Sequence, residues 1–251
     1  MSDGETVVLL HGAGVDHTVW RYQSRRLAHQ GYRIVAPDLP GHGENRQPGL
    51  TSISAYADWL EKKLMDLGLA APATLIGHSM GSLISVDLAS RSNRIAGRLV
   101  LVGASRQMKV HPQLMGAAET DLARAAALIG GWSLPGSFTG GHPEPGTWHQ
   151  GAIQHLVRRS RPGVLAGDLG ACAEYDCAET ASRIEVPTLL ISGSEDRMTP
   201  ARDAMELAGL IPGAEIVLLS GVGHEPMFQQ PRRFNRLLEK WLVDGGKPTS
   251  R

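Results

Sequence analysis

The stretch Ala73-Thr74-Leu75-Ile76-Gly77-His78-Ser79-Met80-Gly81-Ser82-Leu83-Ile84 decides how the rest of the chain reads. An apolar run of strand character meets a helix-permissive run across a Gly-x-Ser-x-Gly turn. That setting presents a serine hydroxyl to a ligand: the turn forces the serine into a strained backbone conformation, and small neighbours let the helix start close to the strand. Ser79 is thereby expected beside the first amides of a helix.

Working outward, short runs rich in Val, Ile and Leu recur at 6–10, 32–36, 73–76, 98–102, 187–192 and 214–219. Their apolarity is continuous rather than alternating, which marks strands covered on both faces and hence a parallel sheet between helix layers. Segments of helical period follow at 19–30, 54–67, 80–91, 201–210 and 232–242. In 54–67, Tyr56, Trp59, Leu60, Lys63, Leu64 and Leu67 fall near the 3.6-residue period and predict the inward face. The alternation predicts a doubly wound α/β fold with a mostly parallel sheet of six core strands.

One segment breaks the rhythm. Residues 105–183 are too many for a loop and hold helical stretches at 112–129, 153–159 and 162–175, with the Gly/Pro-rich passage 130–136 among them. They read as a small helical lid inserted into a core formed by 1–104 and 184–251. Its aromatics Trp132, Phe138 and Trp148, together with His78 beside the serine, are the candidates for a substrate pocket.

The chain has 251 residues, 42 % of them hydrophobic, enough for a full core in one domain. Its formal net charge is zero and its basic residues are scattered, so no electrostatic footprint for nucleic acid or an anionic membrane is expected. Arg158-Arg159-Ser160-Arg161, the one dense basic cluster, reads as a solvated helix end. The N-terminus lacks the pattern of a secretory leader and no apolar run is long enough to span a bilayer, so a cytoplasmic protein is expected. Cys172 and Cys177 lack histidines at metal-ligand spacing and read as buried small hydrophobes.

A serine hydroxyl needs a base to take its proton, and the base needs a third group to fix its tautomer and stabilise its charge. In open α/β sheets such partners lie just after core strands. Asp196 follows the fifth strand in Gly193-Ser194-Glu195-Asp196, and His224 follows the sixth in Gly221-Val222-Gly223-His224. Glu195 and Asp203 compete with Asp196 for the acid's role; Glu195 reads as solvent-facing or capping, and Asp203 as too far into the next helix.

With Leu9-Leu10-His11-Gly12-Ala13-Gly14 and Asp38-Leu39-Pro40-Gly41-His42-Gly43 added, the chain resembles the α/β-hydrolase superfamily over residues 6 to 243, in its serine esterase/lactonase-like branch. The resemblance implies Ser79 as nucleophile, His224 as base, Asp196 as orienting acid, and an oxyanion hole from the backbone N–H groups of Ala13 and Met80. It gives His11 and His42 structural places. Serine rather than aspartate at the elbow sets aside the haloalkane dehalogenase and epoxide hydrolase branches.

The function expected is a cofactor-independent serine hydrolase acting on a small carboxylic ester or lactone through an acyl-enzyme. The same fold and triad serve C–C bond cleavage, hydroxynitrile lysis and perhydrolysis, and a non-catalytic small-ligand receptor is the alternative of another class. No metal or cofactor is implied: Gly12-Ala13-Gly14 lacks the third glycine of a dinucleotide fingerprint, and no phosphate-binding Gly-Lys-Ser/Thr loop occurs.

Overall fold

The computed structural model describes residues 4–69, 71–91, 93–135 and 148–245. Six strands, β1 (Thr6–Leu10), β2 (Arg33–Val35), β3 (Ala73–His78), β4 (Ala96–Val102), β5 (Thr188–Gly193) and β6 (Glu215–Leu219), form one sheet. Its order is β2-β1-β3-β4-β5-β6 and every pairing is parallel. The chain steps outward from β1 to β2, then returns to the other side of β1 for β3. This reversal leaves a crevice at the carboxyl ends of β1 and β3, where ligands collect in such sheets.

Alternation along each strand splits the core in two. Val8, Leu10, Leu75, Leu99, Leu101 and Leu190 face α2 (Ile53–Asp66), α3 (Met80–Arg91) and α9 (Ala201–Leu210). Val7, Leu9, Ile76, Val100, Val102 and Ile191 face the other way, toward α1 (Arg21–His29) and α11 (Pro231–Val243). Both faces are buried, which explains the unbroken apolar runs. In α2 the inward face is Ile53, Tyr56, Ala57, Leu60 and Leu64. Lys63 and Leu67, expected on that face, are instead exposed, because the buried stripe follows Tyr56, Leu60 and Leu64 at four-residue steps. The start of the expected helix 19–30 is a 3-10 turn, His17–Trp20, capped by Asp16.

Between β4 and β5 lie α4 (Pro112–Thr120), α5 (Leu122–Ser133), α6 (His149–Arg158), α7 (Val164–Glu174) and α8 (Ala178–Ser182). The expected single helix 112–129 is two, broken at Asp121, whose carboxylate caps α5 by accepting from Arg124 N–H at 3.0 Å. The passage read as a Gly/Pro-rich connection is helical through Ser133. Its Gly130 serves close helix packing, since a Cβ there would stand 2.9 Å from Cγ of Gln154 on α6. The short α8 packs with α3 and α9, and its Ala181 joins the buried cluster on that face. No helix among the described residues is long and apolar enough to cross a membrane.

Candidate active site

Ser79 joins β3 to α3 and is, among the described residues, the only non-glycine with a positive φ, 52°. Such a conformation costs about 1–3 kcal/mol and persists only where its surroundings impose it. Here Ser79 N–H donates to Val102 O at 2.9 Å, while the N–H and hydroxyl of Ser82 donate to Ser79 O at 2.8 and 2.6 Å. The flanking glycines are sterically required: a Cβ on Gly77 would sit 2.2 Å from Gly81 O, and one on Gly81 2.5 Å from Leu10 O. Met80 opens α3 with its side chain in the core, so its N–H is one of the helix amides that lack an intrahelical acceptor.

His224 is fixed from both sides. Its N–H donates to Ser133 O at the end of α5 (2.7 Å), and its Nδ1 lies 2.8 Å from Asp196 Oδ2. Asp196 in turn accepts from the N–H groups of Met198 and Thr199 and from the Thr199 hydroxyl, each at 2.8 Å. Glu195 is exposed and Asp203 lies on α9 beside Arg202, so neither meets His224. Burial would lower the His224 pKa, but the charge and hydrogen bond of Asp196, with the charge of Glu225, hold it above the ordinary histidine value. Burial likewise opposes the Asp196 charge, yet His224 and the Thr199 donors keep its carboxyl below the usual range.

Ser79, His224, His78 and Ala13 line one cavity, whose apolar walls come from Val15, Leu114, Ile129, Trp132, Leu169 and Met198. Trp132 is thus at the cavity. Trp148 is not: it is 69 % exposed at the start of α6, with its ring over Gly151. Phe138 lies outside the described residues. His78 is buried, its Nε2 donating to His224 O at 3.0 Å; burial and the neighbouring His224 charge push its pKa down to about 3, so it is neutral.

Two acids that sequence reasoning did not single out complete the surroundings. Glu225, buried on the cavity lining, has Oε2 3.4 Å from His78 Nε2, and burial pushes its carboxyl up to about 7. Asp168, fully buried on α7, accepts from Gly14 N–H (2.9 Å), His42 Nε2 (2.7 Å) and the Tyr56 hydroxyl (2.9 Å). It joins the helical segment to the loop that carries Ala13. His42 Nδ1 lies 3.0 Å from Pro40 O, so both ring nitrogens face acceptors; burial opposes the charge, but Asp168 holds the pKa above the ordinary value. A charged residue inside the apolar sequence Val164-Leu165-Ala166-Gly167-Asp168-Leu169 was the available signal. His11 is neutral by contrast, accepting from Leu39 N–H at 3.1 Å, its pKa pushed to about 4 by burial and by His42. Arg161, read as solvated, donates to the carbonyls of Asn45 and Gly43, a second tie between this segment and the core.

A parallel sheet with a strained serine at its switch point, lining one cavity with a carboxylate-bound histidine, is an α/β architecture of the hydrolase type. The chain belongs to the alpha/beta hydrolase family, whose model matches residues 7–237. It is similar to a pimeloyl-[acyl-carrier protein] methyl ester esterase of Aromatoleum aromaticum, 29 % identical over 252 residues, covering 93 % of this chain and 96 % of that one. A thermophilic esterase from Thermogutta terrifontis superposes with TM-score 0.86 at 25 % identity, over 97 % of this chain and 91 % of the other. An enol-lactonase from Burkholderia xenovorans shares the fold with TM-score 0.88 at 23 % identity, over 96 % and 92 %.

Proposed function

We propose that the protein is a cytoplasmic, cofactor-independent serine hydrolase that cleaves a small carboxylic ester or lactone through an acyl-enzyme. The observation that carries this reading is the 2.8 Å contact of His224 Nδ1 with Asp196, which leaves Nε2 for Ser79 in the same cavity. Ser79 Oγ attacks the carbonyl carbon while His224 Nε2 takes its proton. Asp196 stabilises the imidazolium, and the N–H groups of Ala13 and Met80 stabilise the oxyanion, a contribution of about 3–4 kcal/mol per donor. His224 then gives its proton to the leaving alkoxide, and a water activated by the same nitrogen releases the acid. Residues 105–183 act as the lid, supplying Leu114, Ile129, Trp132 and Leu169 to the substrate wall. The relatives named as esterases support the same transfer of an acyl group to water.

The test is intact-mass labelling with a fluorophosphonate alongside turnover of an activated ester. One adduct is expected on the wild type and none on Ser79→Ala, whose turnover falls by a factor on the order of 10⁶. Near-normal turnover by Ser79→Ala would overturn the assignment.

A further inference from the structure

Charge around the cavity is arranged unevenly. Lys109, from the segment between β4 and α4, and Arg197, from the turn after β5, both line it and are exposed, which places them at its mouth. Neither side chain has a hydrogen bond or ion pair to another described residue. Arg106, three positions before Lys109, is by contrast held by Asp176 and Glu206. The acid next to Arg197 is Asp196, already committed to His224 and Thr199. The one carboxylate among the described lining residues is Glu225, which is buried against His78 rather than placed at the mouth.

Two cations with no partner among the described residues, over an apolar, low-dielectric cleft, focus a positive potential on its entrance. A neutral ester gains nothing from that potential. We propose that Lys109 and Arg197 form an anion subsite at the mouth of the cavity, so that the preferred substrate carries a carboxylate or phosphate group remote from its scissile carbonyl. The apolar walls hold the intervening chain and the cations hold its charged end. This rests on the hydrolase reading above and names the substrate class for that site.

The experiment compares p-nitrophenyl monoesters of dicarboxylic acids, from succinate to suberate, with the same compounds methyl-capped at the free acid. A terminal phosphate series and a terminal trimethylammonium series complete the panel. In the wild type, kcat/KM for the anionic compound of the best chain length exceeds that of its capped partner by roughly tenfold at low salt, and the advantage shrinks as salt screens it. The carboxylate and phosphate series separate the two kinds of anion. Lys109→Ala with Arg197→Ala brings the anionic-to-neutral ratio near one, and Arg197→Glu brings it below that of the double alanine variant. Because the readout is a ratio within each protein, a general loss of folding does not imitate the result.

A wild-type ratio at or below one, with the capped ester turned over, overturns the anion subsite while leaving the hydrolase reading intact. If no ester is turned over, the hydrolase reading fails. Calorimetric binding of the corresponding methyl ketones, with and without the terminal carboxylate, then decides the subsite by itself. Equal binding of the two ketones overturns it; tighter binding of the carboxylate, lost in the double variant, supports it.

Discussion

The residue after His224, Glu225, is buried and lines the same cavity. Glu225 contributes a negative charge that, with Asp196, favours the imidazolium and so delays the appearance of the free base. Under the proposed mechanism the sign follows: His224 must be neutral to accept the Ser79 proton, so activity should rise as pH climbs through a His224 pKa above the ordinary value. Glu225→Gln removes one of the two charges and should move the acid limb of kcat/KM to lower pH. It should also simplify that limb, since Glu225 itself titrates near 7 and the two groups are coupled. A pH–rate profile from acid to alkaline conditions checks this; superimposable limbs would show that the Glu225 charge does not reach His224. At this scale the placement of Ser79, Asp196 and His224 just after β3, β5 and β6 was legible in the sequence. Glu225 was not, because a glutamate following a histidine has no pattern until the fold buries it.

At the scale of the element, α7 is joined to the core by a polar contact inside an otherwise apolar packing. The Asp168 carboxylate meets His42, Tyr56 and Gly14 at once, and all four groups come from separate elements or loops. Breaking a buried pair by removing one partner costs about 3–5 kcal/mol, so Asp168→Asn should lower the unfolding free energy by an amount of that order. His42 has a raised pKa in the folded state, so its charge contributes fully below the unfolded value near 6.5 and is lost as pH rises through the higher folded value. The gap in Tm between wild type and variant should therefore be widest in mild acid and narrow toward alkaline pH. A gap independent of pH would mean that the charge on His42 contributes nothing. Helix boundaries in this segment were the least legible part of the sequence. Asp121 ends one helix while capping the next, and Gly130 reads as a breaker although its missing side chain makes room for α6.

For the whole molecule, the all-parallel sheet places the carboxyl ends of all six strands on one side, and that geometry brings the loops after β1, β3, β5 and β6 to one cavity. Its parallel class was foreseeable because continuous apolar runs demand cover on both faces; its strand order was not, since which strand neighbours which is fixed by packing the sequence does not spell out. The cover is itself testable. Phe234, Leu238, Trp241 and Leu242 of α11 are buried against the sheet, and Phe234→Ala should cost about 3–5 kcal/mol in urea unfolding with little change in the anionic-to-neutral substrate ratio. The tie at Asp168 also bears on how this protein could be re-engineered. Exchanging residues 105–183 for the corresponding piece of another family member looks like a modular swap, because both ends of that piece leave adjacent strands, β4 and β5. Yet the recipient scaffold keeps buried donors at His42 Nε2, the Tyr56 hydroxyl and the Gly14 amide that expect an acid from the incoming piece. A donor segment without one would leave those buried donors unsatisfied under the graft, so the donor should be chosen first for that single carboxylate and only then for its pocket.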